Sequence, residues 1–322
     1  MEEGNDQALF VRKSFMNISI FKLFALLLTI SGVIFQSVSP HMVVQAAQSD
    51  LVPKLTGIKS WAYQLQKIDP GIIARSKEDL VVIDYSRTGA GADAFSPAEL
   101  SQMKRKIDGS RRFVLAYLSI GEAEDYRFYW QSDWRKKRPD WLLPENPDWP
   151  GNYPVKYWHA DWQKIIHTYL EHIIKVGFDG VYLDRVDSFE EFSGDAKAKA
   201  RMISFVRDLA HRANRQGRKF YIVPQNGEDL LHNKSYRNII SAIGKEDFLF
   251  GIKRDEQPNP KAEISWSKKA LLLARKAGLP VLAIEYLTNI KKLKQASKKF
   301  KSLGFVATFS NRELDQLSRP FP

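Results

Sequence analysis

The sequence predicts an α/β chain folded as a single (β/α)8 barrel of the TIM type, and three observations carry that expectation. From Trp61 onward, short β-rich runs alternate with helical patterns, the signature of repeated βα units around a parallel sheet. Eight runs recur: Trp61–Leu65, Leu80–Tyr85, Arg112–Leu118, Gly180–Asp184, Lys219–Pro224, Ile239–Ile243, Pro280–Tyr286 and Gly304–Phe309. An open doubly wound sheet usually has fewer strands. Finally, acids gather where these runs give way to polar residues, the rim at which an α/β barrel carries its chemistry.

The elements follow in order. With 322 residues, 44% hydrophobic and 27% charged, the chain is long enough for one barrel-sized domain. Leu23 to Phe35 (LFALLLTISGVIF) is too short for a comfortable membrane span but suits the apolar region of a signal peptide. Val44-Gln45-Ala46 then offers the small residue that cleavage requires. Residues 1–46 therefore read as a signal peptide, with Met16 as the expected start, 47–60 as a linker and 61–322 as the barrel. The expected location is secreted or periplasmic, with no stable membrane partner after cleavage; an uncleaved anchor is the alternative.

Helical stripes lie between the strands. Trp162, Ile165, Ile166, Tyr169, Leu170, Ile173 and Ile174 mark one; Met202, Phe205, Val206, Leu209 and Ala213 mark another; Ile290, Leu293, Ser297 and Phe300 repeat the pattern. Gly89-Ala-Gly91-Ala-Asp-Ala94 superficially matches a dinucleotide fingerprint, but Ser96-Pro97-Ala98-Glu99 is a capping box that starts the helix too late to meet a phosphate there. The segment reads as a loop, and no cofactor is expected.

The formal charge is +12, and residues 1–46 hold three acids and three bases, so their removal leaves the excess unchanged. A basic surface favours acidic partners. The lysines, however, fall where outer helix faces should be, as in Lys291, Lys292, Lys294, Lys298, Lys299 and Lys301. No nucleic-acid partner is expected. The absence of cysteine excludes disulfides, thiolate zinc sites and a cysteine nucleophile.

The strand ends share one chemistry. Asp84 closes the second strand, Glu122 and Glu124 follow the third, Asp184 and Asp187 the fourth, Glu228 the fifth after Gln225 and Asn226, Glu246 and Asp247 the sixth, and Glu285 the seventh. Carboxylates and side-chain amides without a histidine cluster suit sugar hydroxyls and glycosidic cleavage by paired acids, with a divalent cation as the alternative tenant and no metal expected. Residues 122–162 form a long insertion holding six of the eight tryptophans (Trp130, Trp134, Trp141, Trp149, Trp158 and Trp162), with five prolines interleaved. Two or three of its aromatics are expected to face ligand, the rest to build the insertion's own core.

Four segments, YLSIGEAEDYRFYW (117–130), GFDGVYLDRVDSFE (177–190), PQNGEDL (224–230) and IGKED (243–247), resemble the endo-α-1,4-polygalactosaminidase-type glycoside hydrolases, family 114. The resemblance runs in order from about Trp61 to Phe309. It implies a barrel, secretion and a polysaccharide substrate with α-1,4-linked galactosamine. Its catalytic acids on the fourth and sixth strands carry over to Asp184 and Glu246. Asp84, Tyr117, Glu122, Tyr126, Trp130, Asp187, Gln225, Asn226, Glu285 and Tyr286 are the expected substrate-binding residues. A catalytically silent glycan-binding barrel is the competing reading. A basic protein is also a poor electrostatic match for a polycationic polymer, which an acetylated substrate would ease.

Overall fold

The computed structural model describes residues 52–319 and 321. The expected signal peptide lies outside them. Among the described residues no helix is long and apolar enough to cross a membrane.

Eight parallel strands follow one another in chain order, in two arcs. The first arc is β1 (Trp61–Gln64), β2 (Leu80–Ile83), β3 (Phe113–Ser119), β6 (Gly180–Asp184) and β7 (Tyr221–Pro224). The second is β8 (Ile243–Glu246), β9 (Val281–Tyr286) and β10 (Val306–Ser310). Between β3 and β6 an antiparallel pair, β4 (Glu122–Glu124) and β5 (Asn152–Pro154), frames the insertion.

Both seams between the arcs are bonded. A parallel bridge joins Gln225 to Gly244, and the Asn226 N–H donates to the Gly244 carbonyl at 2.9 Å. On the far side the Trp61 indole donates to the Val306 carbonyl at 3.0 Å. There the C-terminal segment acts as caulking: Ser318 Oγ accepts from the Tyr63 N–H at 2.7 Å and meets Thr308 Oγ1 at 2.8 Å, while Arg319 bridges Phe309.

Period-two alternation divides the side chains into two cores. Trp61, Tyr63, Leu80, Val82, Leu115, Tyr117, Tyr182, Val223, Leu282, Ile284 and Tyr286 fill the barrel interior. Their strand neighbours Ala62, Val81, Ile83, Val114, Ala116, Val181, Leu183, Ile222 and Ala283 face the helix layer. The helix Ala160–Val176 buries Trp162, Ile166, Tyr169, Leu170 and Ile173 along one face, and Gly177 ends it at φ 106°. An L side chain rarely adopts that backbone, which is why glycine stands there.

Two expectations shift, and one holds with an addition. The sixth barrel strand starts at Ile243 rather than Ile239, because Ser241 is already spent joining β7, its N–H on the Ile222 carbonyl at 2.7 Å and its Oγ accepting from the Ile222 N–H at 2.9 Å. Ile290 is 64% exposed at the start of its helix Ile290–Leu303, which buries Ser297 and Phe300 of the expected stripe together with Ala296. The capping box at Ser96 and Glu99 forms as read, while the glycine segment before it packs so closely that a Cβ at Gly89 would strike the Tyr126 ring at 2.5 Å.

Candidate active site

Inward parity delivers Asp184, Gln225 and Glu246 side by side at the C-terminal ends of β6, β7 and β8. Asp184 Oδ2 accepts from Tyr117 Oη at 2.7 Å. Its Oδ1 accepts from the Arg185 backbone N–H at 2.8 Å and from Gln225 Nε2 at 3.0 Å. That same amide nitrogen donates to Glu246 Oε2. Glu246 Oε2 also accepts from Asn226 Nδ2 at 3.3 Å, and Oε1 accepts from Tyr286 Oη at 3.1 Å. One NH2 group thus spans both carboxyls. With bonds of about 2.9 Å and the 120° spread of an amide, two acceptors on one nitrogen stand about 5 Å apart.

The two carboxyls sit in unlike environments. Burial, then the negative charges of Asp184 and Asp247, push Glu246 up to about 7. Burial also raises Asp184, opposed by the hydrogen bond from Tyr117. Three donors reach each carboxyl, but the positive charge of Arg185 favours the Asp184 anion against one like charge, Asp187, whereas Glu246 faces two like charges, Asp184 and Asp247. The environments therefore favour an ionised Asp184 beside a protonated Glu246 at neutral pH.

Around this pair lies a ring of charges. Arg127, with its side chain 1% exposed, donates to both oxygens of Asp84 (2.9 and 2.7 Å) and to Glu124 at 2.7 Å. Tyr126 donates its hydroxyl to Glu124 Oε1 at 2.6 Å. Arg185 Nε lies 3.3 Å from Glu122 Oε2, and Asn146 Nδ2 donates to Glu122 Oε1 at 2.8 Å. Lys245 pairs with Glu228 at 3.0 Å, and Arg312 grips both oxygens of Asp247 at 3.1 and 3.2 Å. Asp187 is raised by burial, opposed by Arg185 and Lys245. Among the described residues, no three or more His, Cys, Asp or Glu are grouped to hold a metal ion.

Two expected site residues stand elsewhere. Glu285 alternates with inward-facing Ile284 and Tyr286, so it points into the helix layer, fully buried, where it accepts from the backbone N–H groups of Leu249 (2.7 Å) and Phe250 (3.3 Å). Trp130 packs into the insertion's core, its ring 5.3 Å from Trp134 and 4.7 Å from Tyr153. Trp141 is likewise 2% exposed, against Trp134 and Trp162. Trp149 alone of the insertion's tryptophans is exposed, at 53%.

The sequence profile of glycoside-hydrolase family GH114 matches residues 41–320. This chain belongs to that family. As a GH114 member it is a glycosidase, and its substrate is a polysaccharide. The chain is 40% identical to the uncharacterized protein MJ1477 of Methanocaldococcus jannaschii, over 80% of this chain and 78% of that protein. Its fold is similar to the glycoside hydrolase domain of PelA from Pseudomonas aeruginosa (TM-score 0.62, 22% identity, 82% of this chain and 99% of that one). It is also similar to Aspergillus fumigatus Ega3, solved in complex with galactosamine (TM-score 0.62, 20% identity, 83% and 98%).

Sequence reasoning gave no place at this candidate site to the cations Arg127, Arg185, Lys245 and Arg312. Arg127, Arg185 and Lys245 lie inside the four segments that carry the resemblance, next to acids, and a buried cluster of acids implies counter-charges nearby. Arg312 had no such signal, because it arrives from beyond the last strand. Tyr182 was also missed: its hydroxyl is buried inside the barrel without a partner among the described residues, where a Cβ at Gly244 would overlap it.

Proposed function

We propose that this protein is an exported, endo-acting glycosidase that cleaves an amino-sugar polysaccharide with α-1,4-galactosamine-type linkages. Asp184 is the nucleophile and Glu246 the general acid/base. The observation that carries this reading is the single Gln225 amide bridging both carboxyls, because a separation of about 5 Å belongs to the retaining class, whereas inversion needs roughly 6.5–9.5 Å to admit a water.

In the first step Asp184 attacks the anomeric carbon while Glu246 gives its proton to the leaving oxygen, forming a glycosyl ester and a free chain end. Water then attacks the same carbon, Glu246 takes its proton, and Asp184 leaves as a carboxylate. Glu246 at about 7 suits it to both roles.

The substrate class rests on charge as well as on likeness. Six carboxyls (Asp84, Glu122, Glu124, Asp184, Asp187, Asp247) surround the strand ends against three cations (Arg127, Arg185, Arg312), while Lys245 and Glu228 pair off toward the helix Lys261–Lys276 and Glu246 holds its proton. Meanwhile Lys291, Lys294, Lys298, Lys299 and Lys301 lie exposed on the outer helix Ile290–Leu303. The local field at the mouth is therefore negative although the chain is basic, which suits an ammonium-bearing sugar. Ega3, whose solved structure holds galactosamine, is similar in fold. Export rests on the apolar segment at 23–35.

The test is release of reducing ends from acetylated and deacetylated amino-sugar polymers by purified residues 47–322. Asp184→Asn and Glu246→Gln should each lower turnover by several orders of magnitude, and Glu246→Gln should keep far more of the first step on an activated aryl glycoside. Wild-type kcat/KM should fall as pH rises through about 7, where Glu246 loses its proton. Near-full polymer activity in either variant would overturn the assignment. Polymer binding without cleavage by the wild type would make the chain a glycan-binding barrel.

A further inference from the structure

Trp149 is exposed at the tip of a turn whose sequence, Asn146-Pro147-Asp148-Trp149-Pro150-Gly151-Asn152, leaves it little freedom. Pro147 and Pro150 hold their own φ near −65°, and Pro150 biases Trp149 before it toward extended backbone. The turn closes on itself: Asn146 N–H donates to the Asn152 carbonyl at 2.8 Å, Asn152 N–H to the Trp149 carbonyl at 3.1 Å, and Asp148 N–H to Asn146 Oδ1 at 3.0 Å. Gly151, at φ 87°, donates its N–H to Glu145 Oε1 at 2.7 Å and accepts from the Asp125 N–H at 2.9 Å.

The turn is tied to the reaction centre. Asn146 Nδ2 bonds Glu122, Glu122 meets Arg185, and Arg185 follows Asp184. The insertion's other tryptophans stack on one another or on neighbouring aromatics, whereas Trp149 has no aromatic partner among the described residues. An indole kept in water on a braced turn, at the rim rather than in the core, has the properties of a sugar-stacking platform: a flat apolar face ordered before ligand arrives.

We infer that Trp149 is a remote glycan subsite, stacking on a sugar ring of the same polymer chain beyond the two rings that flank the cleaved bond. The inference rests on the glycosidase reading above and adds that the cleft reads polymer length. The Asn146–Glu122–Arg185 chain fixes the distance from platform to nucleophile.

The experiment compares wild type, Trp149→Ala and Trp149→Tyr on galactosamine polymer and on short oligosaccharides, with binding to immobilised amino-sugar and neutral polysaccharides measured separately from hydrolysis. Trp149→Ala should lower the ratio of kcat/KM on polymer to that on short oligosaccharide by roughly tenfold, through KM, and weaken polymer binding by a similar factor. Trp149→Tyr should restore most of both. A ratio within twofold of wild type, or equal loss on short and long substrates, overturns the platform while leaving the glycosidase reading intact. A wild type that neither binds nor cleaves any of the glycans overturns both.

Discussion

Glu246→Gln should make the protein more stable while abolishing turnover. In the folded chain Glu246 is raised to about 7 from an ordinary 4.5, so between those values the folded state binds more protons than the unfolded one and stability falls as pH rises. Above pH 7 the full penalty of the buried anion is present; below 4.5 both states are protonated and the penalty vanishes. The difference corresponds to about 3 kcal/mol at pH 8. Glutamine keeps the shape: its oxygen can accept from Gln225 and Asn226 and its amide can donate to Tyr286 Oη, leaving the Tyr286 O–H to turn to water at the mouth. For a domain of this size each kcal/mol moves the melting temperature by about 2–4 °C, so the variant should melt roughly 6–12 °C higher at pH 8 and near wild type at pH 4.5. Melts of both proteins across that range measure it. A difference that does not change with pH, or a variant that melts lower at pH 8, would refute the idea that Glu246 carries a strained charge.

Three further outcomes follow from the same geometry. Because the Asp184 charge helps to raise Glu246, the stabilisation from Glu246→Gln at pH 8 should shrink in an Asp184→Asn background; full additivity in this double-mutant cycle would show the two carboxyls to be uncoupled. Glu285→Gln should retain most polymer turnover, since its carboxylate only holds the backbone of Leu249 and Phe250, and a loss of several orders of magnitude would return it to the chemistry. Trp141→Ala should destabilise the fold by roughly 3 kcal/mol or more, because its indole is buried between Trp134 and Trp162; an unchanged melting temperature would place it on the ligand side.

Much of this was legible because barrels repeat. Seven of the eight strands overlap their expected runs closely, and acids at strand ends mark the mouth in the sequence itself. Glu285 shows where reading by position alone fails. It ends a strand as Asp184 and Glu246 do, yet in VLAIEY the inward residues are Leu282, Ile284 and Tyr286. Period two therefore sends Glu285 outward. That signal was available in the sequence and went unused. The tryptophans failed for a different reason: composition shows that an insertion needs both a core and a ligand face, but which ring serves which depends on turn geometry. Asn226, one residue past an inward position, supports Glu246, while Gln225, Tyr117 and the Arg185 backbone N–H take the places beside Asp184. A sequence gives the neighbours along a strand, not the side on which an amide reaches across two.

The backbone just past β6, β7 and β8 explains why so many charges crowd there. Arg185, Asn226 and Asp247 have φ of 58°, 57° and 49°, and each directly follows an inward-facing site residue, Asp184, Gln225 or Glu246. Such conformations cost of order 1–3 kcal/mol for a residue with a Cβ and persist only where the surroundings impose them. Here each strained residue is held by its own side chain: Arg185 by Glu122 and Glu191, Asn226 by bonds to and from Glu246, and Asp247 by the Arg312 guanidinium. Arg312 also lies 4.4 Å over the Tyr286 ring, whose hydroxyl bonds Glu246. Turning the chain sharply away at these three points leaves the preceding side chains as the last inward residues of their strands, facing the mouth without backbone above them. The cations at the rim are thus tied to the shape of the site as well as to its charge. Replacing Arg185 or Arg312 by lysine, which keeps the charge but loses the fork, should cost turnover through misplaced carboxyls rather than through a changed field.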